Sequence, residues 1–499
     1  MPQQHCILTR YELTITMIQY KIVFLVCFYG IASCQAAFAG NLKISNVELT
    51  YNSATTRDVT CTFTIRWENA WFNEKNNDAA WVFIKALHPE RQPRHLRLAE
   101  KGHRIVMNHR KDASNPAITI APDKTGLFIA PTAKHRGDID CTVQVVLDSS
   151  TTSVRGFATY EVILAVYGIE MVRVPEGAFT LGDPDTTALG FGALYRSAGN
   201  GVFGGLVKIQ SETQIMDIGK DSNQLWYRAD QPAYQGDQRG HLPTEFPKGY
   251  KAFYVMKYEL TQGQYADFLQ SLSPNQSQLR ANMGGRGYYQ NRGTIKLQNN
   301  RYIATSPERP CNYLSWDDAC AFADWAALRP MTELEYTKAC RGTSDPLPHE
   351  YPWGTSTKDN LSRRVSPETD ELVLSNGFNE SQLHDKNRDV FGASFYWVMD
   401  LAGSLWERVI TIGHPRGRNF KGTHGDGALT DYGNATNEDW PQGNAETGGF
   451  GFRGGGYYEH FRINGEFLPF SPIAYRRFGA WSGGNRSIAY GSRFVRTAQ

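Results

Sequence analysis

Residues 453–458 read Arg-Gly-Gly-Gly-Tyr-Tyr, and residues 491–496 close the C-terminal region with Gly-Ser-Arg-Phe-Val-Arg. No cysteine follows Cys340 in the sequence. Both segments belong to a region, beginning at Met171, in which glycine and aromatic residues are frequent and the predicted strands are short. A region this irregular is stable when its loops pack on one another around aromatic side chains or ions. We therefore expect an α+β unit rich in irregular loops.

Two helices are predicted in this region from their first residues. Ser315 is a good helix cap, with Asp318 three residues later, and an apolar stripe of helical spacing follows. Thr332 and Glu335 have the spacing of a capping box, and Gly342 ends that helix.

Residues 41–167 have a different pattern, typical of an all-β domain. In residues 59–67, Val-Thr-Cys-Thr-Phe-Thr-Ile-Arg-Trp, polar and apolar side chains alternate with the period of two expected of a strand. Further short strands separated by polar turns favour a β-sandwich. Trp67, Trp71 and Trp81 are interpreted as packing residues of this sandwich.

Length and charge limit the possibilities further. A single core stops growing at roughly 250–300 residues, so a chain of 499 residues is expected to hold two domains. We place a signal peptide at residues 1–39, the β-sandwich at 40–168 and the C-terminal domain at 169–499. The net charge of +2 gives no reason to expect nucleic acid or acidic lipid as a partner.

The first 40 residues have the pattern of an export signal. An apolar run at residues 22–32 follows Lys21 and precedes Ala37-Phe38-Ala39, a small-x-small cleavage site before Gly40. The run is too short to span a bilayer, and no later apolar stretch is long enough, so we expect an exported protein, secreted, periplasmic or at the cell surface, without a transmembrane span. The alternative is a lipoprotein signal with Cys34 as the lipid-bearing residue.

The cysteines that follow the signal are Cys61, Cys141, Cys311, Cys320 and Cys340. Their odd number and wide spacing do not indicate a disulfide framework or a CxxC metal site. Two alternatives stay open for Cys61 and Cys141: they form a disulfide, or they are buried free thiols.

Several segments from Met171 onward resemble, in order, the domain of the formylglycine-generating enzymes, also called the sulfatase-modifying factor family. The similar segments are residues 171–182, 254–268, 310–327, 328–336, 351–354, 399–407 and the glycine block at 453–458. The resemblance implies a C-type-lectin-like fold for residues 169–499. The family oxidises a substrate cysteine to formylglycine with copper, which two cysteines bind just after the glycine block. Since this sequence has no thiol there, we expect no copper and no catalytic residue of that kind.

Members of the family also bind calcium, partly through a Gly-Asn-x-Trp-Glu motif. In this sequence Ser404 stands at the position of the asparagine, while Glu407 is retained, and Asn360 lies in a segment similar to another calcium-binding one. Asn360 and Glu407 are therefore the candidate calcium ligands. The alternative is that Glu407 is a structural hydrogen-bonding residue.

Residues between the glycine block and the closing motif have the composition of a recognition surface, because tyrosine, tryptophan and arginine alternate with small residues. The candidate ligand-binding residues are Tyr457, Tyr458, Tyr475, Arg476, Arg477, Phe478, Trp481, Asn485, Arg486, Ser487 and Tyr490. The segment also resembles the variable proteins of diversity-generating retroelements, which diversify residues just before a Gly-x-Arg-x-Val-Arg motif. The alternative is that these side chains pack against the domain's own loops.

The sequence thus favours a non-catalytic binding protein that recognises a protein or a glycan through its C-terminal surface. One alternative is an oxidoreductase-type enzyme of the family with a non-standard site, using for instance Cys311, Cys320 or Cys340. The other is a structural component of the cell envelope or of a motility apparatus.

Overall fold

The computed structural model describes residues 41–51, 59–88, 91–110, 115–148, 163–229, 236–281, 287–365, 372–374, 382–442, 448–456, 462–463, 466–467, 470–483 and 485–498. The predicted signal peptide with Cys34, and the candidate residues Tyr457 and Tyr458, lie outside this part of the chain.

The N-terminal part consists of strands. In chain order they are β1 (Lys43–Tyr51), β2 (Val59–Phe72), β3 (Asp78–His88), β4 (Arg91–Leu96), β5 (Arg104–Asn108), β6 (Ala117–Ile120), β7 (Leu127–Ala130), β8 (His135–Leu147) and β9 (Ile163–Val174). An antiparallel sheet has the order β1-β2-β8-β5. Its inward residues Phe63 and Ile65 share one core with Val82 and Ile84 of β3, in the sheet that faces it. Two sheets on a common core are the arrangement that the alternating pattern predicts.

The C-terminal part has shorter strands, six α-helices and one 3-10 helix among the described residues. The strands are β10 (Phe179–Leu181), β11 (Tyr195–Arg196), β12 (Val207–Ile209), β13 (Met216–Ile218), β14 (Leu225–Trp226), β15 (Gly240–Leu242), β16 (Phe253–Met256), β17 (Ile295–Gln298), β18 (Arg301–Ala304), β19 (Arg329–Pro330), β20 (Arg363–Val365), β21 (Leu372–Leu374), β22 (Trp406–Ile410), β23 (Phe450–Arg453), β24 (Arg462–Ile463), β25 (Glu466–Phe467), β26 (Tyr490–Gly491) and β27 (Phe494–Thr497). The α-helices are α1 (Gln262–Ser271), α2 (Pro274–Arg280), α3 (Trp316–Trp325), α4 (Glu333–Arg341), α5 (Arg388–Phe391) and α6 (Pro415–Arg418), and a 3-10 helix spans Thr186–Phe191.

One large sheet runs through both parts of the chain. Its order is β19-β27-β16-β9-β3-β7-β6, with β4 also paired to β3. Strand β9 pairs with β3 on one edge and with β16 on the other, so the predicted boundary between residues 168 and 169 falls inside a strand. The division into two domains stays a prediction.

Capping residues set the beginnings of α3 and α4, as the sequence predicts. The Ser315 hydroxyl accepts a hydrogen bond from the Asp318 amide, and the Asp318 carboxylate accepts one from the Ser315 amide. Thr332 and Glu335 form the same reciprocal pair at α4. In the part of the chain that the structure covers, no helix has the length and apolar character needed to cross a membrane.

The tryptophans that we interpreted as packing residues are buried: Trp67 and Trp81 have no exposed surface, and Trp71 has 8%. Cys61 and Cys141 lie on neighbouring strands but face Val145 and Ile65, not each other. Both are free buried thiols, which decides between the two alternatives for this pair.

Candidate functional site

Residues 453–456 of the glycine block fold tightly against strand β22. This strand pairs antiparallel with β23 and parallel with β26. Gly454 has a φ of +93°, and a Cβ atom there would lie 2.8 Å from the carbonyl oxygen of Leu401. A Cβ atom at Gly456 would lie 2.8 Å from Cδ1 of Trp406. Side chains are therefore excluded at both positions, and Gly456, the last described residue of the block, lies beside the Trp406 ring.

Four half-buried aromatic residues gather at this point, and we call them the aromatic surface: Trp406, Phe478, Trp481 and Tyr490. The Phe478 ring lies 5.3 Å from both the Trp406 and Trp481 rings, measured between centroids, and the Trp481 ring lies 6.3 Å from the Tyr490 ring. Tilted and edge-on contacts of this kind are favourable for aromatic pairs and hold the rings in place. The predicted residue Asn485 is exposed, and Arg477 is half-buried.

A buried arginine supports the aromatic surface from below. The guanidinium of Arg408 lies 4.7 Å from the Phe452 ring and 5.2 Å from the Tyr490 ring, within range of a cation–π interaction. Its Nη2 donates to the carbonyl oxygens of Leu314 and Asn485, which fixes the backbone at Asn485. Burial lowers the pKa of Arg408 to about 10.

Sequence reasoning missed Trp406, Arg408 and Phe452. Trp406 lay within a segment used to identify the family, and Phe452 directly precedes the glycine block. What brings Arg408 and Phe452 together is the pairing of β22 with β23, in which the two residues are opposite each other. A pairing between residues so far apart in sequence is not visible in the composition of either segment.

Other predicted ligand-binding residues hold the fold together. Arg476 is buried, and its Nε and Nη2 donate to the Glu333 carboxylate at 2.6 and 2.8 Å. Arg486 forms two hydrogen bonds with the carboxylate of Asp318 at 2.6 and 2.7 Å. A guanidinium engaged in this way has few donors left for a ligand, so Arg476 and Arg486 are not part of the aromatic surface.

Tyr475 and Ser487 also contact the protein itself. The Tyr475 ring stacks on Phe191 at 4.2 Å, and its hydroxyl lies 3.0 Å from Nδ1 of His349. The Ser487 carbonyl oxygen accepts a hydrogen bond from the amide of Tyr313. For these two residues the alternative interpretation, packing against the domain's own loops, describes the contacts better.

The two candidate calcium ligands have protein partners. Both carboxylate oxygens of Glu407 accept from Nε of Arg493 at 3.0 Å, and Nη2 of Arg493 adds a bond of 2.8 Å. Nδ2 of Asn360 donates to Asp389 at 2.9 Å. Within the described ranges, no group of three or more histidine, cysteine, aspartate or glutamate side chains is placed to hold a metal ion. Since Arg493 already neutralises Glu407, these contacts fit the structural alternative for Glu407.

The thiols do not fit a copper site either. All five cysteines of the described chain are buried and free. Burial raises the pKa of Cys61, Cys141 and Cys340 to about 12, and it raises those of Cys311 and Cys320 well above their usual range. A copper site of the family's kind needs two thiolates, and none of these groups ionises readily.

A separate concavity of about 170 Å³ lies between β1, β9, α1 and α3. Its lining includes Phe83, Tyr167, Asp267 and Trp325. None of the predicted site residues lines it.

Comparison with known proteins identifies the family. Residues 225–496, more than half of the chain, match the family described as the sulfatase-modifying factor enzyme 1-like domain. The similar segment at 171–182 lies outside this match.

Individual relatives are distant. The formylglycine-generating enzyme of Thermomonospora curvata is 29% identical over 105 residues, covering 21% of this chain and 34% of that protein. The formylglycine-generating enzyme of Bos taurus is 27% identical over 101 residues, covering 20% and 26%. The hercynine oxygenase of Mycobacterium tuberculosis is 26% identical over 154 residues, covering 28% and 35%. The chain thus spans about a quarter to a third of the length of these relatives.

Among solved structures, domains D2 and D3 of the major pilin SpaD from Corynebacterium diphtheriae align with 50% of this chain and 84% of that one, at 11% identity. The TM-score of 0.12 is too low to indicate a shared fold. The family therefore rests on the match over residues 225–496, and by that match the chain belongs to the sulfatase-modifying factor enzyme 1-like domain family.

Proposed function

We propose that this protein is an exported, non-catalytic binding protein that recognises a protein or a glycan through the aromatic surface. The observation that carries the proposal is the position of Trp406, Phe478, Trp481 and Tyr490 beside Gly456 of the glycine block. The resemblance to formylglycine-generating enzymes locates the reactive cysteines just after the glycine block in sequence, and no cysteine follows Cys340 in this sequence. N-terminal sequencing of the protein from its host tests the export, with a first residue expected at or near Gly40.

The chemistry of the aromatic surface suits recognition. Tyrosine and tryptophan provide rigid contact area at a low cost in conformational entropy, and such residues dominate the binding energy of many interfaces. Asn485 adds an exposed amide at the same place, on a backbone that Arg408 fixes. A surface that is ordered before it meets its ligand loses less entropy on binding.

The named relatives are enzymes, so the first prediction concerns catalysis. With copper and oxygen supplied, the purified protein is expected to leave the cysteine of a sulfatase-motif peptide unchanged, because two thiolates are lacking. Mass spectrometry of the peptide measures this, with the formylglycine-generating enzyme of Thermomonospora curvata as the positive control. Aldehyde formation above a metal-free blank would show that the protein is an enzyme.

The second prediction concerns the aromatic surface. Trp481→Ser is expected to weaken ligand binding at least tenfold, since a central aromatic residue commonly contributes about 2 kcal/mol or more. Because Trp481 is only half-buried, the loss of folding stability should stay below the roughly 3–5 kcal/mol of a core tryptophan. Binding is measured on an array of defined oligosaccharides and on individually immobilised extracellular proteins, and stability by thermal unfolding.

Tyr289→Ser is the matched control for this test. Tyr289 is an aromatic residue with 68% of its surface exposed, and it is not part of the aromatic surface. It should leave binding unchanged. If Trp481→Ser binds like the wild type, or if it unfolds the protein as a core substitution does, the aromatic surface is not the binding site.

A further inference from the structure

A lysine and two carboxylates are buried together in the large sheet. Nζ of Lys257 lies 2.8 Å from Oδ2 of Asp78 and 2.7 Å from Oε1 of Glu170. The exposed fractions of the three side chains are 8%, 1% and 5%, respectively. An amine and a carboxyl group in contact and shielded from water are the two components of an amide.

The strand register brings the three side chains to one face of the sheet. Asp78 on β3 is opposite Val172 of β9, so its side chain shares a face with that of Glu170, two residues earlier on β9. Met256, the last residue of β16, is opposite Met171, and the amide of Lys257 donates to the carbonyl oxygen of Glu170. Glu170 thus lies between Asp78 and Lys257.

The two oxygens of the Asp78 carboxylate differ in their hydrogen bonding. Its Oδ2 accepts from the amide of Trp71 at 2.9 Å and from Nζ of Lys257. Its Oδ1 is buried and has no hydrogen-bond partner among the described residues. An unpaired buried carboxylate oxygen is costly and therefore requires an explanation.

We propose that Lys257 and Asp78 form an intramolecular isopeptide bond, with Glu170 transferring the proton. A proton moves from Nζ to Oδ1 of the Asp78 carboxylate, and the neutral amine attacks Cγ, forming the Nζ–Cγ bond. Glu170 takes a proton from the attacking nitrogen and gives it to Oδ1, which leaves as water when the Cγ–Oδ1 bond breaks. Glu170 is regenerated, and no oxidant, reductant or further reactant is needed.

Burial and the two carboxylates determine the protonation state from which Lys257 reacts. Burial lowers the pKa of Lys257, but Asp78 and Glu170 outweigh it and raise that pKa well above the usual range. The ammonium is therefore the resting form. Proton transfer within the cluster replaces a charged pair with two neutral groups; burial acts in favour of this step, and the attraction between the ammonium and the two carboxylates acts against it. The reaction is expected to be slow and to occur once in the life of each molecule.

The product removes the one unpaired carboxylate oxygen of Asp78 and keeps the other hydrogen bonds of the cluster. Oδ2 becomes the amide oxygen and still accepts from the Trp71 amide. The remaining hydrogen on Nζ donates to Glu170, and Oδ1, the oxygen without a partner, is gone. The bond also ties β3 to the residue after β16, across the predicted boundary between the β-sandwich and the C-terminal domain.

Peptide mass spectrometry of the purified full-length protein tests this inference. If Lys257 is in an amide, trypsin cannot cut after it, so a branched peptide is expected that joins residues 76–85 to residues 252–280 and is lighter than their sum by one water molecule. The Asp78→Asn variant should give a branched peptide of the same mass, because asparagine loses ammonia where aspartate loses water.

Two variants distinguish formation of the isopeptide bond from a simple ion pair between Lys257 and Asp78. Glu170→Gln retains both reacting residues but not the proton acceptor, so its branched peptide should fall at least tenfold. Asp78→Ala should give none. Wild-type protein that is folded, yet is cut completely after Lys257 and gives no branched peptide, would overturn the proposal. A Glu170→Gln variant that cross-links as completely as the wild type would overturn the role of Glu170.

Discussion

The Glu333→Gln substitution is expected to lower the free energy of unfolding by about 3–5 kcal/mol, because it leaves two buried arginines without their counter-ion. The Glu333 carboxylate is completely buried and bonded to Arg476 and, at 3.2 Å, to Nη1 of Arg453. It also accepts from the Thr411 hydroxyl and the Ile412 amide. Burial alone would raise the pKa of Glu333, but the two arginines outweigh it and hold that pKa below its usual value.

Urea unfolding of the wild type and the variant measures this prediction. Asp217→Asn is the matched control, because Asp217 pairs with His241 at 3.0 Å on the surface, with both side chains 53% exposed. Removing such a pair should change stability by no more than about 0.5 kcal/mol. A loss below about 1 kcal/mol for Glu333→Gln in a folded protein would show that the two arginines find other partners.

Glu333 also shows what the sequence could and could not predict. The capping box identified the start of α4, because Thr332 and Glu335 are only three residues apart. The role of Glu333 depends on Arg453 and Arg476, which are 120 and 143 residues away, and no local pattern links them. For the same reason Arg476 was expected on the binding surface. An arginine between aromatic residues has the same local sequence whether it faces solvent or a buried carboxylate.

The alternating strand of the sandwich and the helices α3 and α4 were predictable for local reasons of the same kind. The alternation in residues 59–67 is also seen in the burial of the β2 side chains, and Ser315 caps α3, which begins at Trp316. The sequence did not predict that strand β9 would pair on both edges and join the two parts of the chain in one sheet. Its sequence changes character near residue 168, which suggested a boundary, whereas hydrogen bonds on both its edges continue one sheet through that point.

The closing motif at residues 491–496 resembles the Gly-x-Arg-x-Val-Arg motif of the variable proteins of diversity-generating retroelements. In the structure its two arginines, Arg493 and Arg496, are buried. Arg496 bonds to the Asp123 carboxylate, and its guanidinium lies 4.4 Å from the Trp81 ring. Arg493 bonds to Glu407 and to the carbonyl oxygens of Met256, Lys257 and Met399. The motif therefore joins β27 to the rest of the fold and does not itself present a ligand-binding surface.

The Arg493→Met substitution is accordingly expected to destabilise the protein in a pH-dependent way, by about 3–5 kcal/mol at pH 8 and by less at pH 5. Two buried carboxylates face the vacated position. Burial raises the pKa of Glu407 and that of Glu259, whereas the positive charge of Arg493 lowers them. The net shift is upward for both groups even with Arg493 present. Without the guanidinium both pKa values should rise further.

The sign follows from proton binding. A carboxyl group whose pKa is higher in the folded state keeps its proton at pH values where the unfolded chain, with a pKa of about 4.3, has lost it. Stability of the variant should therefore fall as the pH rises from about 4.3 through the raised pKa values.

Urea unfolding of the Arg493→Met variant at pH 5 and pH 8 measures the difference in stability. The Arg493→Met/Glu407→Gln double variant is the control, because it removes one of the two carboxylates and should reduce the pH dependence. An equal loss of stability at both pH values would mean that Arg493 acts through its bonds to the backbone and not through charge.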